Sequence, residues 1–508
     1  MKRVISLILA LIMGLSLVAC GEKPTDDPNA GEGTYKERIV IANSGVLNNL
    51  DIQNNNDLYN QHIYGLTHNS LVNFDTETKT AVPELATSWE KNGLEITFHL
   101  REGVKFHNGE AFTADDVIYT YTRGMDFSFQ QTKLKYIEKM EAPDPYTLVI
   151  TLNQPNAEFV ENLSSNNLGI LCQKAVEADP DKGCMVGTGA FMLTEWNPDE
   201  DVLVTRFDEY WDDLPKTKEI QYRKIGEASA RVIALQTGEI DICLDVPAIE
   251  APTVSDAAGC DLVQIPGTKM VYLALNHSDG GHPAVKDKRV RQALNYATNT
   301  SDIIIAMTEG YASPANGLIP SSMFGYDPDV KTYGYDLEKA KSLLAEAGYG
   351  PSNPLEIKMV YKGSQFPGLY EVLQAQWALA GVNLILESDD STTTSDIVRT
   401  KKYDMYQSNW NWSTTCLSLS SLWHSTSGNN RTLTYDAQLD QMLDAATNEM
   451  DEAVREKLIN EISAYLSEHA AMIPLYIDTL LTGVRENVEN PGLVYTQRHD
   501  FTYVCAKE

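Results

Sequence analysis

The sequence predicts an α/β protein of more than one domain. Its 508 residues exceed what one ordinary hydrophobic core fills. Between positions 355 and 387 a strand-like run, a helical stretch and a second strand-like run follow one another at the length of a parallel crossover, which needs helices packed on its sheet. A hydrophobic content of 43% with 9% aromatics is that of a globular chain.

The first residues are read as an export signal and tether. Lys2 and Arg3 precede an apolar run, 4–19, that is short for a membrane span of about 20 residues. It ends in Leu17-Val18-Ala19-Cys20, a tetrad that resembles a bacterial lipobox and makes Cys20 the expected lipidated residue. Residues 20–37 are polar with Gly and Pro, the composition of a flexible linker. These features together predict a body held in water by a lipid anchor.

Arg38 opens a short apolar strand (RIVIA), followed by an asparagine-rich stretch before Ile63, Tyr64, Leu66, Leu71 and Val72 restore an apolar face. Within 86–117, Leu94, Ile96, Phe98 and Leu100 alternate with polar residues, as in a half-buried strand. Asn108-Gly109 supplies the positive φ of a tight turn. Thr113-Ala-Asp-Asp116 has the pattern of a capping box for a helix that buries Val117, Ile118 and Tyr121. A strand is expected at 146–152, a helix at 227–237 closed by Gly238, and strands at 241–244 and 271–276. Residues 286–298 form a helical pattern with Val290, Ala293, Leu294 and Ala297 inward and Arg289 and Arg291 outside. Helices follow at 337–347 and 366–380, around strands at 355–361 and 382–387. Two amphipathic helices, 437–449 and 451–467, turn Leu439, Met442, Leu443 and Ala446, then Val454, Leu458, Ile462 and Tyr465, inward. A weak strand at 501–505 ends the chain.

The tryptophan, F-x-L-R run, F-x-N-G turn and T-A-D-D-V cap crowded into 86–117 resemble the signature of the family 5 solute-binding proteins of ABC importers, the peptide- and oligopeptide-binding group. Val186-Gly-Thr-Gly-Ala-Phe191, Gly238-Glu-Ile-Asp-Ile242, the V-R-Q-A-L-N-Y-A run from Val290 and the loop 310–320 continue the resemblance to the C-terminus. It implies a two-lobe α/β fold of the periplasmic-binding-protein type (type II, cluster C) with an extra small domain inserted in lobe I. The implied division is a signal peptide at 1–19, a tether at 20–37, lobe I at 38–65, 186–275 and 482–508, domain II at 66–185 and lobe III at 276–481. The implied partners are an ABC permease with its ATPase subunits and a small-molecule or peptide ligand, the receptor acting as a monomer.

Within the resemblance, Trp410 falls on a cleft tryptophan and Ser413 on an aspartate that pairs with a peptide's α-ammonium. Serine carries no charge, so Asp404 or a residue of another lobe is left to supply it. Asn409, Asn411 and Trp412 complete an aromatic and amide surface suited to apolar side chains or sugar rings. Tyr272, Asn276, Asn56 and Tyr59 are candidates by position, and Arg399 is a candidate for a ligand carboxylate.

A formal charge of −31 argues against nucleic acid or anionic lipid as a partner, since both require clustered Lys and Arg. No H-E-x-x-H, G-x-S-x-G or phosphate-loop motif is present, and the G-x-G at 187–189 has Met192 where a dinucleotide loop needs its third glycine. The expectation is therefore a receptor without catalytic residues, cofactor or metal; a sugar-binding receptor of the same family, a secreted hydrolase and a sensory receptor are the alternatives. Six cysteines besides Cys20 allow fifteen pairings. Cys172–Cys184 and Cys243–Cys260 would close short loops, and free thiols remain equally open.

Overall fold

The structure is a computed structural model that describes residues 34–315, 317–362, 368–389 and 391–508. The signal, Cys20 and most of the tether lie outside them.

One sheet of eleven strands runs through both lobes. In lobe I, Arg38–Asn43 lies parallel to Glu219–Lys224 on one side and to Ile242–Cys243 on the other. Asp201–Arg206 and Phe191–Asn197 extend that edge as antiparallel strands. In lobe III, Leu355–Lys362 pairs in parallel with Val382–Asp389, with the helix Leu369–Leu379 between them in sequence, so the expected crossover is present. The two halves are joined by the long strands Cys260–Leu275 and Met472–Arg485, which pair antiparallel along most of their length. Their register breaks between Pro266 and Met270 and again between Val271 and Tyr272. At the first break Gly267 approaches its partner so closely that a Cβ there would stand 2.8 Å from the Asp478 carbonyl oxygen. Pro266-Gly267 and Pro474 break the strand pattern in sequence, which is why only the end of the first strand was expected.

The strands of lobe III alternate between two cores. Val271, Leu273 and Leu275 enter one cluster with the helices of the crossover, and Met270, Tyr272 and Ala274 enter another with Trp423, Leu443 and Ile462. Lobe I closes around Ile39, Ile41, Val202, Val204, Ile220 and Phe501. The signature window builds a third body: Ala86–Asn92, Glu95–Leu100, Thr147–Leu152 and Ile137–Asp144 form a separate four-stranded sheet. Ile96, Phe98, Leu148 and Ile150 pack there against Val117 and Tyr121 of the helix Ala114–Gly124. The capping box forms, the Thr113 backbone N–H donating to Asp116 Oδ2 at 3.0 Å. Gly109 takes its expected positive φ of 85°.

Several expectations are corrected. Arg291 is buried, because its forked guanidinium donates to the carbonyls of Val285, Lys286 and His469 and so closes the start of its helix. In the helix Glu452–Glu468 the inward face is turned by one position: Arg455, Ile459, Ile462 and Leu466 are buried and Val454 is 46% exposed. Leu94 sits at a turn and is 37% exposed. The C-terminal strand is limited to Cys505–Ala506. All six described cysteines are free and buried.

Candidate functional site

Lobe I, the inserted domain and lobe III meet around a cavity of about 210 Å³. Asn56, Gln61 and the segment Thr496 to Arg498 line it from lobe I; Phe74, Lys133, Glu161 and Asn162 from the inserted domain; Thr268, Asn411, Trp412, Ser413, Thr414 and Leu417 from the third wall. A smaller adjoining hollow shares Phe74, Glu161, Ser413 and Thr414. A hollow of about 240 Å³ elsewhere in lobe III is bounded by that lobe alone, so relative movement of the lobes would not open or shut it.

The inserted domain is docked on lobe III. The helix Thr415–Trp423 begins at Thr414, whose own side chain makes no capping bond. The missing cap comes from across the cleft: Glu158 accepts from the backbone N–H groups of Cys416 at 2.8 Å and Leu417 at 3.1 Å. A carboxylate at that end also meets the positive pole of the helix dipole. Beside it, the Ala157 N–H donates to the Thr447 carbonyl at 3.0 Å, and Lys79 Nζ donates to the carbonyls of Ser321 and Met323.

The charges around the cavity lie on particular walls. Among the described residues, Lys133, near the end of the helix Ser128–Leu134, donates only to neutral oxygens, Ser165 Oγ at 2.9 Å and Gln130 Oε1 at 3.3 Å. Burial, with Arg498 as a second positive charge nearby, pulls its ammonium down to about 7. Burial likewise lowers the Arg498 guanidinium. Glu161 is raised by burial, and its Oε2 is enclosed without a hydrogen-bond partner. Among the described residues no group of acids, histidines or cysteines is placed to hold a metal ion.

The residues singled out from the sequence divide into two sets. Asn56, Asn411, Trp412 and Ser413 line the cavity. Trp412 offers only part of its surface, because it is 3% exposed and its ring packs on Trp423 with centroids 6.5 Å apart. Trp410 is not on the lining; it packs into the Met270, Tyr272 and Ala274 cluster with its indole N–H enclosed and unpaired. Asn409 falls on the opposite face of the pleat, across from Val271. Tyr272 is buried, its hydroxyl raised to about 12. Asn276 holds the carbonyls of Tyr403 and Lys401 at 2.7 and 3.2 Å. It stands eight residues along the strand from Thr268, roughly 25 Å away. Tyr59 packs on Gly45 and bonds to Ser44 Oγ at 3.0 Å. Arg399 is exposed, ion-paired with Asp396 at 2.9 Å, and lines a separate surface hollow. Asp404 accepts from the Lys358 N–H at 3.1 Å, beside the Asn276 end of the sheet. Lys133, Glu158, Glu161, Thr268 and Arg498 carry no motif that marks them in sequence.

A two-lobe body closing on a cavity between its lobes defines a solute receptor. The profile described as "Bacterial extracellular solute-binding proteins, family 5 Middle" matches residues 80–431, and the chain belongs to that family. It is therefore an extracytoplasmic solute-binding receptor of the ABC-importer type and not an enzyme. It is 31% identical to the dipeptide-binding protein of Escherichia coli K12 over 62% of this chain and 64% of that protein. It is 28% identical to the glutathione-binding protein GsiB of Salmonella paratyphi A over 89% of this chain and 91% of that one. The solved periplasmic binding protein DppA of Helicobacter pylori, in complex with the peptide STSA, superposes with a TM-score of 0.76 at 25% identity, covering 93% of this chain and 99% of that one.

Proposed function

We propose that the protein captures short peptides between its lobes and delivers them to an ABC permease, held at the membrane as a monomer through lipid on Cys20. The observation that carries this is the cavity itself, walled by all three bodies and bearing an acid, Glu161, as well as the cations Lys133 and Arg498. Glu161 shares both hollows with Ser413 and stands on the facing wall, so it is suited to supply the negative charge that serine lacks. The site residues of this reading are Asn56, Lys133, Glu161, Thr268, Asn411, Ser413, Thr414 and Arg498. The segments 38–65, 186–275 and 482–508 form lobe I, 66–185 domain II and 276–481 lobe III. The names of the relatives, dipeptide-, glutathione- and peptide-binding, agree with this ligand class.

A sugar-binding receptor needs an exposed aromatic face for stacking. The inward packing of Trp410 and the 3% exposure of Trp412 weigh against it. A thermal-shift screen of short peptides and oligosaccharides is the decisive test, because a ligand bound by the native state raises apparent stability by RT ln(1 + [L]/Kd). Peptides are expected to stabilise and oligosaccharides not; the reverse result would defeat the reading. Separately, Cys20→Ser is expected to release the protein from membranes.

A further inference from the structure

The chain carries 71 acidic residues against 40 basic ones, so a cation at random has carboxylates within easy reach. Among the described residues, two cations of the cavity make no ion pair, and Glu161, the acid that lines the same void, acts on neither of them. Lys133 spends its donors on a serine hydroxyl and a glutamine amide oxygen. Among the described residues the Arg498 guanidinium makes no ion pair, and the field on each group holds no acid: burial alone acts on Arg498, and burial with Arg498 acts on Lys133. Both side chains are half-buried and line the void. Leaving an ionised group out of water without a counter-charge is strongly unfavourable, and two like charges sharing a site compound it. An anion in the void would offset that cost.

We propose that Lys133 and Arg498 together form a subsite for the free carboxylate of the bound peptide. The reading rests on the peptide function proposed above and assigns that function one pole of the ligand. Guanidinium is a planar fork that matches the two oxygens of a carboxylate, and the ammonium adds a donor from another direction. The two groups come from different bodies, the helix Ser128–Leu134 of the inserted domain and the C-terminal segment of lobe I. The anion therefore neutralises a repulsion between them.

Titration calorimetry on the full-length protein with trialanine and its C-terminal amide tests the subsite. The wild type is expected to prefer the free acid by roughly tenfold, the ratio a charge-assisted pair supports over a neutral one. Arg498→Gln is expected to bring that ratio towards unity, and its unliganded melting temperature should equal or exceed that of the wild type, since an uncompensated charge has been removed. Lys133→Met should act in the same direction. Binding of the free acid should also take up protons, a signal that Lys133→Met abolishes. Equal affinity for acid and amide in the wild type, an undiminished ratio in Arg498→Gln, or a lowered melting temperature showing that Arg498 is a packing residue would each overturn the assignment. If neither trialanine nor its amide binds but inorganic phosphate or succinate stabilises the wild type and not Arg498→Gln, the anion subsite stands and the peptide reading falls. If both peptides bind equally, the peptide reading stands and the subsite falls.

Discussion

Two walls of the cavity differ in kind. The wall from Asn411 to Leu417 is built of amide, indole, hydroxyl and alkyl groups and carries no charge, whereas the inserted domain opposite brings Lys133 and Glu161. The uncharged wall starts at the last residue of the strand Met405–Asn411 and runs into the helix Thr415–Trp423, and some of its residues also fill a core, Trp412 among them. The charged wall rises from short helices, where a side chain facing the void has few packing duties. Both charges of the inserted domain thus stand on short helices, and in the proposed reading the charge sought at Ser413 comes from Glu161 on that side.

The division can be broken most forcefully at Trp412. Trp412→Ala is expected to cost about 3–5 kcal/mol of stability, because it hollows the core beside Trp423. Denaturant unfolding measures this, and lost binding with unchanged stability would show that the uncharged wall is a recognition surface after all. The next effect concerns Lys133, which titrates near 7 in the folded chain against 10.5 as a free side chain. A depressed lysine stabilises the fold above its unfolded value and loses that contribution as pH falls through the folded one. Stability should therefore decline from pH 10.5 to pH 7, by at most about 1.4 kcal/mol per pH unit, and Lys133→Met should flatten that slope.

Glu161→Gln is expected to weaken binding of a free peptide by about 1–3 kcal/mol while sparing an N-acetylated one, and Ser413→Asp in that background should restore the loss. Restoration would show that either wall can hold the charge; failure would place the ammonium elsewhere. The smallest effect is expected at Glu158, where Glu158→Ala removes the cap reaching across the cleft. Peptide affinity should fall by about 1–2 kcal/mol, and small-angle scattering should show a more open ligand-bound form. Unchanged affinity and compactness would mean that the cap contributes nothing to closure.

The legible part of this sequence was the part that folds. Residues 86–117 crowd a strand, a turn and a capping box into one window, and each element forms as expected. They build the core of the inserted domain and none of them lines the cavity. The cavity residues are scattered over seven stretches of chain, brought together by tertiary structure alone, and neither periodicity nor spacing marks a lone Lys133 or Arg498. Asn411 and Ser413 were found because they lie beside a tryptophan pattern; Trp410, on the strand that ends just before Trp412, packs against the same core as Trp412.

Where the sheet passes between the lobes, the broken register beside Gly267 adjoins the cavity, and Thr268 both lines it and accepts from the Trp412 N–H at 3.2 Å. A pivot at this break would be the cavity's neighbour. Any rotation about that ribbon has a short lever arm at the floor and a long one at the rim, where Glu158 must come within 2.8 Å of the Cys416 N–H. A slight excess of ligand thickness near Thr268 is thereby magnified into a gap too wide for that hydrogen bond. On such a pivot the molecule would work as a calliper, gauging at its jaws what has been placed near its hinge.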